Sequence, residues 1–336
     1  ATFEEIIRAL KAAGVPVAGA DRLKLSSHIA FDDLIAVARF ALYPDDDLSL
    51  AEVVLREVRT PAEVAAALAA FAARDLGVVA VSGGDGTVQA ALTALYAGPA
   101  RRPRPHLVAL AAGTTNMIAG DVGPPGAQVW ALRRLAHWLR TGVGRVVRLE
   151  RQVLHLAVPG HGPQCGLFCG VGLISRGVGF YREHLHNRGL AGVPGIALTL
   201  VRAVGTAALR PGHQATPLTA RVDGRSLAGR GWLFLLVTTL EHLFFGLRPF
   251  WGDRHGPLRY TAVRSRAPRL LRLLPQLARG RAHPLGTAAN GYFSGSGQEV
   301  QLFLDSPLAL DGELFTPATA TEPTLEEQRR AQVLTD

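Results

Sequence analysis

The sequence predicts an α/β protein: an open parallel-sheet domain followed by a β-rich, sandwich-like second domain. Three observations carry this. VVAV (78–81) and HLVALA (106–111) each run into a glycine–threonine loop and then a helical pattern. Short apolar runs of that kind are what parallel strands buried on both faces look like. Past residue 146 the alternation of strand, loop and helix gives way to strand-like segments with a hairpin signal at Asp223-Gly224.

Taken in order, VVLREV (53–58) has strand character. TPAE (60–63) is a helix start, since Thr60 can cap, Pro61 suits the first helical position and Glu63 can reach back. That helix stops near Gly77, ahead of the first strand. The loop SGGDGT and a helix over 88–96 follow, then a basic, proline-rich loop (100–105) and the second strand. AGTTN leads into a short helical stretch, and 126–142 forms the next helix. In the second domain strands are expected within 145–158, 166–173, 218–240 and 298–305. Helical stretches are expected at about 178–188, 194–209 and 268–279, the last with a basic face suited to packing or to a membrane surface. The expected divisions are 1–55, 56–145, 146–315 and a polar tail, 316–336, read as a frayed helix.

The 336 residues are 48% apolar, enough for a sizeable core, which makes wholesale disorder a poor reading. No uninterrupted apolar run reaches the roughly 18 residues of a membrane span. The nearest, 191–209, carries Arg202. With no leader pattern at the start, a cytoplasmic location is expected. Cys165 and Cys169 are the only cysteines and read as reduced core thiols. The net charge of +9 is uneven: residues 1–55 hold nine acids and five bases, a net of −4, leaving +13 for the rest. All cations of that remainder are arginine, because Lys11 and Lys24 are the only lysines. A basic body suits a phosphorylated ligand, an anionic membrane surface or nucleic acid, and also fits a plain solvated arginine surface. Nucleic acid is not the expected partner, since only the net charge and an N-terminal segment that is itself acidic, described below, support it.

A strand ending in Gly-Gly and opening a helix presents backbone N–H groups in a concave nest. Gly83 and Gly84 let a phosphate approach the main chain. Asp85 at the rim can hold magnesium or accept a proton from an attacking hydroxyl, and Thr87 can donate a hydrogen bond or cap the helix. Gly113 and Thr114 repeat the pattern on the next strand, with Asn116 able to orient a ligand. Ligands of open α/β sheets bind beyond the carboxyl ends of the strands, where both loops lie. Neither loop is a Walker motif or a dinucleotide fingerprint.

VSGGDGTVQAALTAL followed by ALAAGTTNMIAGDVG resembles the diacylglycerol kinase catalytic-domain family, with its bacterial lipid kinases and sphingosine kinase relatives, over about 56–315. The resemblance implies transfer of the ATP γ-phosphate, with Mg2+, to a lipid hydroxyl such as that of a diacylglycerol or long-chain alcohol. The basic body adds the expectation of peripheral contact with an anionic membrane surface, at the inner membrane face. Gly83, Gly84, Gly86 and Thr87 would cradle phosphates, Asp85 would be base or metal ligand, and Gly113, Thr114 and Asn116 would complete the nucleotide side. LDGELF (310–315) looks like the family's late Asp-Gly-Glu, making Asp311 and Glu313 catalytic candidates; Asp-Gly is also an ordinary turn. NAD kinases share the first loop, so an NAD kinase and a degenerate nucleotide- or lipid-binding protein are the alternatives.

Three features depart from the family. Its second loop usually ends in Asp, where this chain has Met117; Asp121, one helical turn on, either replaces that carboxylate as a metal ligand or is a surface residue. His255 stands where the family has an acid. The Asn-Pro-x-Ser-Gly of the first strand is absent, as no asparagine precedes Asn116. Instead residues 13–54 resemble a segment of AddA-type helicase-nuclease subunits without any ATPase motif, which implies a fusion near residue 55, natural or an artefact of gene assembly; a divergent first βα unit of the kinase is the alternative. His184 and His186 read as surface or structural residues.

Overall fold

The computed structural model describes residues 56–97, 104–180, 203, 205–206, 209–210, 212–253 and 255–318, with the backbone of 330–335. The helicase-like segment, His184 and His186 and most of the stretch 181–209 lie outside the described residues. The chain divides into two units. One combines 1–55 with 127–146; its described part holds the predicted helix, Gln128–Thr141, closed by Gly142 in the left-handed conformation. The other, 56–126 with 147–336, contains every candidate residue described below.

In this second unit, helix α1 (Pro61–Ala72) begins as the sequence dictates. Thr60 Oγ1 accepts from Glu63 N at 3.3 Å, and Glu63 Oε2 accepts from Arg59 N at 2.6 Å, a reciprocal cap. Strands β1 (Val78–Gly83) and β2 (His106–Ala111) pair in parallel, Val78 opposite His106 and Gly83 opposite Ala111. Helix α2 (Asp85–Tyr96) follows β1, and α3 (Met117–Val122) follows β2. Val64 and Leu68 of α1 meet Val79 of β1 and Ala90 and Ala91 of α2 in one apolar cluster. Residues 56–58 are not strand, so the expected strand over 53–58 is not found in its described part.

The β-rich part is a 12-stranded, largely antiparallel sheet. Its strands are β3 (Leu154–Ala157), β4 (Gln164–Gly166), β5 (Phe168–Gly172), β6 (Thr216–Val222), β7 (Arg225–Ser226), β8 (Gly231–Thr238), β9 (Leu258–Arg264), β10 (Tyr292–Gly297), β11 (Glu299–Leu304), β12 (Leu308–Leu310), β13 (Glu313–Phe315) and β14 (Arg330–Thr335). Strand β6 alternates buried and exposed positions and joins β11 on one side to β8 on the other. The predicted hairpin signal works through φ of 48° at Asp223 and 76° at Gly224, the conformation a two-residue turn between twisted strands requires. Trp232, fully buried, donates to Leu218 O at 3.1 Å and meets Phe293 edge-on.

Three expectations change. Within 145–158 only β3 forms, because 143–150 is exposed and has no strand to pair with. The stretch 166–173 is the end of β4 and the whole of β5, parted at Leu167, and then the start of helix α4 (Leu173–Phe180). The tail is not helical over 330–335: β14 fills a gap between β11 and β3 and completes both ladders. The α/β and β-rich parts also share a core. Val88 and Leu92 of α2, Ala109 of β2 and Met117 and Ile118 of α3 pack in one cluster with Val153, Cys165, Phe168 and Leu236. Both cysteines are buried and free, and burial, then the charge of Asp311, raises the Cys169 thiol to about 12. Among the described residues no helix is long and apolar enough to cross a membrane.

Candidate functional site

The first loop turns from β1 into α2 at Gly84, which caps the helix without any side-chain acceptor. Thr87 N and Val88 N donate to Gly84 O, leaving the first-turn N–H groups of α2 directed outward as helix geometry requires. The glycines also serve packing. A Cβ added at Gly83 would stand 2.6 Å from Thr87 Oγ1, and one at Gly113 would overlap Gly84 Cα. The two loops therefore touch backbone to backbone, and Ala112 N donates to Gly83 O at 3.1 Å. Gly113→Ala must push the loops apart, at a cost of about 1–3 kcal/mol for forced overpacking. We expect a lowered unfolding temperature together with loss of any activity seated here, and thermal unfolding of the purified variant checks the first.

The second loop closes on itself. Gly113 N donates to Asn116 Oδ1 at 2.7 Å, and Asn116 Nδ2 donates to Gly113 O at 2.6 Å, with Asn116 at φ 48°. Asparagine tolerates that left-handed conformation better than most residues. Thr114 lies half-buried in the same turn. The side chain of Asp85 then ties the loops together: Oδ2 accepts from Met117 N at 3.0 Å and Oδ1 from Ile118 N at 2.8 Å. Burial raises the Asp85 carboxyl above its usual 3.8, and these two amides oppose the rise. Met117, standing where an acid is expected, is buried among Val88, Leu92 and Ala109 and acts as core.

The β-rich part brings Asp311 and Glu313 to the same place. Asp311 (φ 47°) and Gly312 (φ 89°) form the tight turn between β12 and β13. The Asp311 carboxylate points inward, 1% exposed, and accepts from Leu167 N and Phe168 N, each at 2.9 Å. Gly166 is obligatory opposite it, since a Cβ there would overlap Asp311 Oδ2. Burial pushes the Asp311 carboxyl well above its usual range; the two amides oppose this, and the nearby charge of Asp85 adds to it. Glu313 lies over the first loop, where a Cβ at Gly86 would stand 2.6 Å from its Oε1.

Asp121 does not join this group. Its fully buried carboxylate accepts from Arg151 Nε at 3.0 Å and from the backbone N–H groups of Glu241 (3.3 Å) and His242 (2.9 Å), and meets His242 Nδ1 at 3.1 Å. The metal role expected of Asp121 gives way to an anchoring one, because both oxygens are taken. Glu241 in turn pairs with Arg259. A cavity of about 360 Å³ opens beside the second loop, lined by Asn116, Met117, His242, Leu243, Phe244 and Phe245 among others. Sequence reading missed His242, Arg151, Glu241 and Arg259; they come from coil and strand positions far apart in the chain and share no spacing that would mark them. His255 is exposed, its backbone N–H donating to Ser296 Oγ at 2.6 Å. Among the described residues no three His, Cys, Asp or Glu side chains are placed to hold a metal ion.

Residues 44–146 match the diacylglycerol kinase catalytic domain. The match begins at Pro44, within the segment assigned above to the helicase-like fragment, so the kinase-like region reaches upstream of the expected junction. No curated protein matches the chain. Among solved structures, a candidate diacylglycerol kinase from Bacillus anthracis str. Sterne is similar at 16% identity and a TM-score of 0.55, covering 83% of this chain and 81% of the other. A second, described as a diacylglycerol kinase from the same organism, is similar at 16% identity and a TM-score of 0.50, covering 84% and 80%. At that identity the likeness shows the fold.

Proposed function

We propose, from the premise that residues 44–146 match a diacylglycerol kinase catalytic domain, that this chain transfers the γ-phosphate of ATP to the hydroxyl of a diacylglycerol-like lipid or long-chain alcohol. The observation that carries the reading is the convergence of Asp85, Asp311 and Glu313 on two interlocked glycine loops at the carboxyl ends of parallel strands. The uncapped start of α2 supplies N–H donors and the positive end of a helix dipole, which suit the ATP phosphates. Gly84 leaves its backbone open to that approach, while Gly86 makes room for the Glu313 carboxylate. Asp85 holds the second loop against the first. With one lone pair of each oxygen given to an amide, the carboxylate keeps others that can accept the acceptor hydroxyl's proton, and its raised affinity for protons favours that role.

Magnesium is commonly used by kinases of this family, but the residues present do not assemble a direct ligand set for it. Asp311 and Asp121 are buried against backbone amides, Arg151 and His242, and among the described residues no third acid joins Asp85 and Glu313 to make one. No step is derived through it. Those same engaged carboxylates, with Met117 in place of an acid, favour a second reading: a binding protein that has lost turnover.

One experiment separates the readings. The full chain is incubated with γ-labelled ATP and a bacterial lipid extract, and in parallel with NAD. A labelled lipid is the expected product. Labelled NAD phosphate would replace the reading by an NAD kinase, and retention of ATP with no labelled product would leave the binding protein.

A further inference from the structure

A lipid acceptor that stays in its bilayer has to be met at the membrane surface, and the β-rich part carries a surface built for that. Residues 255–298 contain seven arginines and no Asp or Glu, and residues 203–222 contain no acid either. These two acid-free stretches are pinned together. Gly212 N donates to Ser265 O at 3.1 Å, and the Arg266 side chain lies over Gly212, where a Cβ would come within 2.9 Å of its Nε. Leu209, at the end of this turn, is 82% exposed, and Arg210 beside it is exposed too.

Helix α5 (Leu270–Leu277) continues the same surface. Tyr292 Oη donates to Pro268 O at 2.6 Å and fixes how the chain enters the helix. Leu270, Leu273 and Leu277 face the core with Leu233, Val263 and Tyr292. That spacing turns Leu271, 57% exposed, and Arg272 to the outside, with exposed Arg269 just ahead of the first turn. The contrast with Arg264 is informative: its guanidinium bonds Ala228 O and lies over the Phe293 ring, so it works within the fold. Exposed arginines interspersed with protruding leucines match the chemistry of a bilayer interface, where anionic headgroups lie above an apolar boundary.

We propose that Leu209, Arg210, Arg266, Arg269, Leu271 and Arg272 form a docking surface for an anionic phospholipid bilayer, the arginines meeting headgroup phosphates and the leucines entering the headgroup–acyl boundary. The inference rests on the lipid-kinase reading only for why a bilayer would be needed. Its test is cosedimentation of the full chain with vesicles of phosphatidylcholine alone or mixed with phosphatidylglycerol. The chain partitions onto the mixed vesicles, less so as salt is raised, and weakly onto phosphatidylcholine alone. The variant Arg266→Gln/Arg269→Gln/Arg272→Gln binds mixed vesicles about 100-fold more weakly, from the loss of three cation–headgroup attractions. Leu271→Ser weakens binding about tenfold, as one leucine leaves the apolar boundary. Every substituted side chain is exposed, so unfolding temperatures stay close to that of the unaltered chain. Equal binding of the triple variant, or equal binding of the unaltered chain to both vesicle types, overturns the proposal. Phosphorylation of a short-chain diacylglycerol in detergent micelles tests the kinase reading apart from it: no product there, with vesicle binding intact, removes the enzyme and leaves the surface.

Discussion

Asp85→Ala abolishes phosphoryl transfer while leaving a folded protein. Removing a proton acceptor lowers such rates by about 10²–10⁴-fold, and here the same side chain also sets the loop geometry. Its two oxygens cap the N–H groups of Met117 and Ile118. In the alanine variant both amides turn to water or are left unpaired, at about 1–3 kcal/mol for each buried donor. Asp85→Asn divides the two roles. The amide oxygen can still accept from one backbone N–H, while the NH₂ faces the other, so part of the loop geometry survives without the base. Transfer of labelled phosphate falls to background in both variants, and the unfolding temperature of the asparagine form lies between alanine and the unaltered chain. Unaltered turnover in Asp85→Ala ends the assignment of the site; turnover restored in Asp85→Asn makes Asp85 a brace only. The pH dependence follows in sign. A proton acceptor works ionised, and burial raises the Asp85 carboxyl above 3.8. Activity therefore falls as the pH is lowered, beginning above the range in which an exposed aspartate would titrate.

The helix start at Thr60–Glu63 and the Asp223-Gly224 hairpin were legible because each rests on contacts within a few residues, and strands β1 and β2 because each is a short continuous apolar run. The chemistry of the loops was legible in residue types but not in how they are used. Gly113 reads as a phosphate-approach glycine, yet its lack of a Cβ is already required by Gly84 Cα. Asn116 reads as a ligand-orienting amide, yet both ends of its side chain close on Gly113. Such contacts depend on where two loops meet, which no local pattern encodes. Asp121 illustrates the limit. A one-turn offset from Met117 placed it on a plausible helix face, and what decides its role is Arg151 and His242, 30 and 121 residues away.

The β-rich part was harder for the same reason. Strands β12, β13 and β14 hold three, three and six residues, and they exist because neighbouring ladders need partners. Residues 330–335 of a polar tail with helical composition form a strand where the gap between β11 and β3 offers them two sets of backbone bonds. The late Asp-Gly-Glu was readable both as a turn and as a site, and the turn is what the structure shows. The turn is formed by Asp311 and Gly312, while the two acids point to a buried amide pair and to Gly86.

Asp311 is where the largest loss of stability is expected. Its carboxylate accepts from the amides of Leu167 and Phe168, at the break between β4 and β5 and against a wall of core side chains. Asp311→Ala leaves those two buried donors unpaired, about 1–3 kcal/mol each, and gives up the short polar side chain that makes φ 47° tolerable for a residue other than glycine. A loss of several kcal/mol is a large part of what holds a domain folded. The pH dependence distinguishes this site from an ordinary salt-bridged aspartate. Because the folded carboxyl is raised well above 3.8, the folded chain holds a proton that the unfolded chain has released. Stability from this group is therefore full below the unfolded value and is lost as pH rises through the raised folded value. Asp85, raised in the same direction, adds to the slope. Asp311→Asn cannot titrate, so its unfolding temperature is lower than that of the unaltered chain but falls less steeply between mildly acidic and neutral pH. Parallel curves for the two proteins would mean that Asp311 is ionised throughout and held by its amides alone, and the coupling between the carboxylates of the two parts would have no consequence for folding.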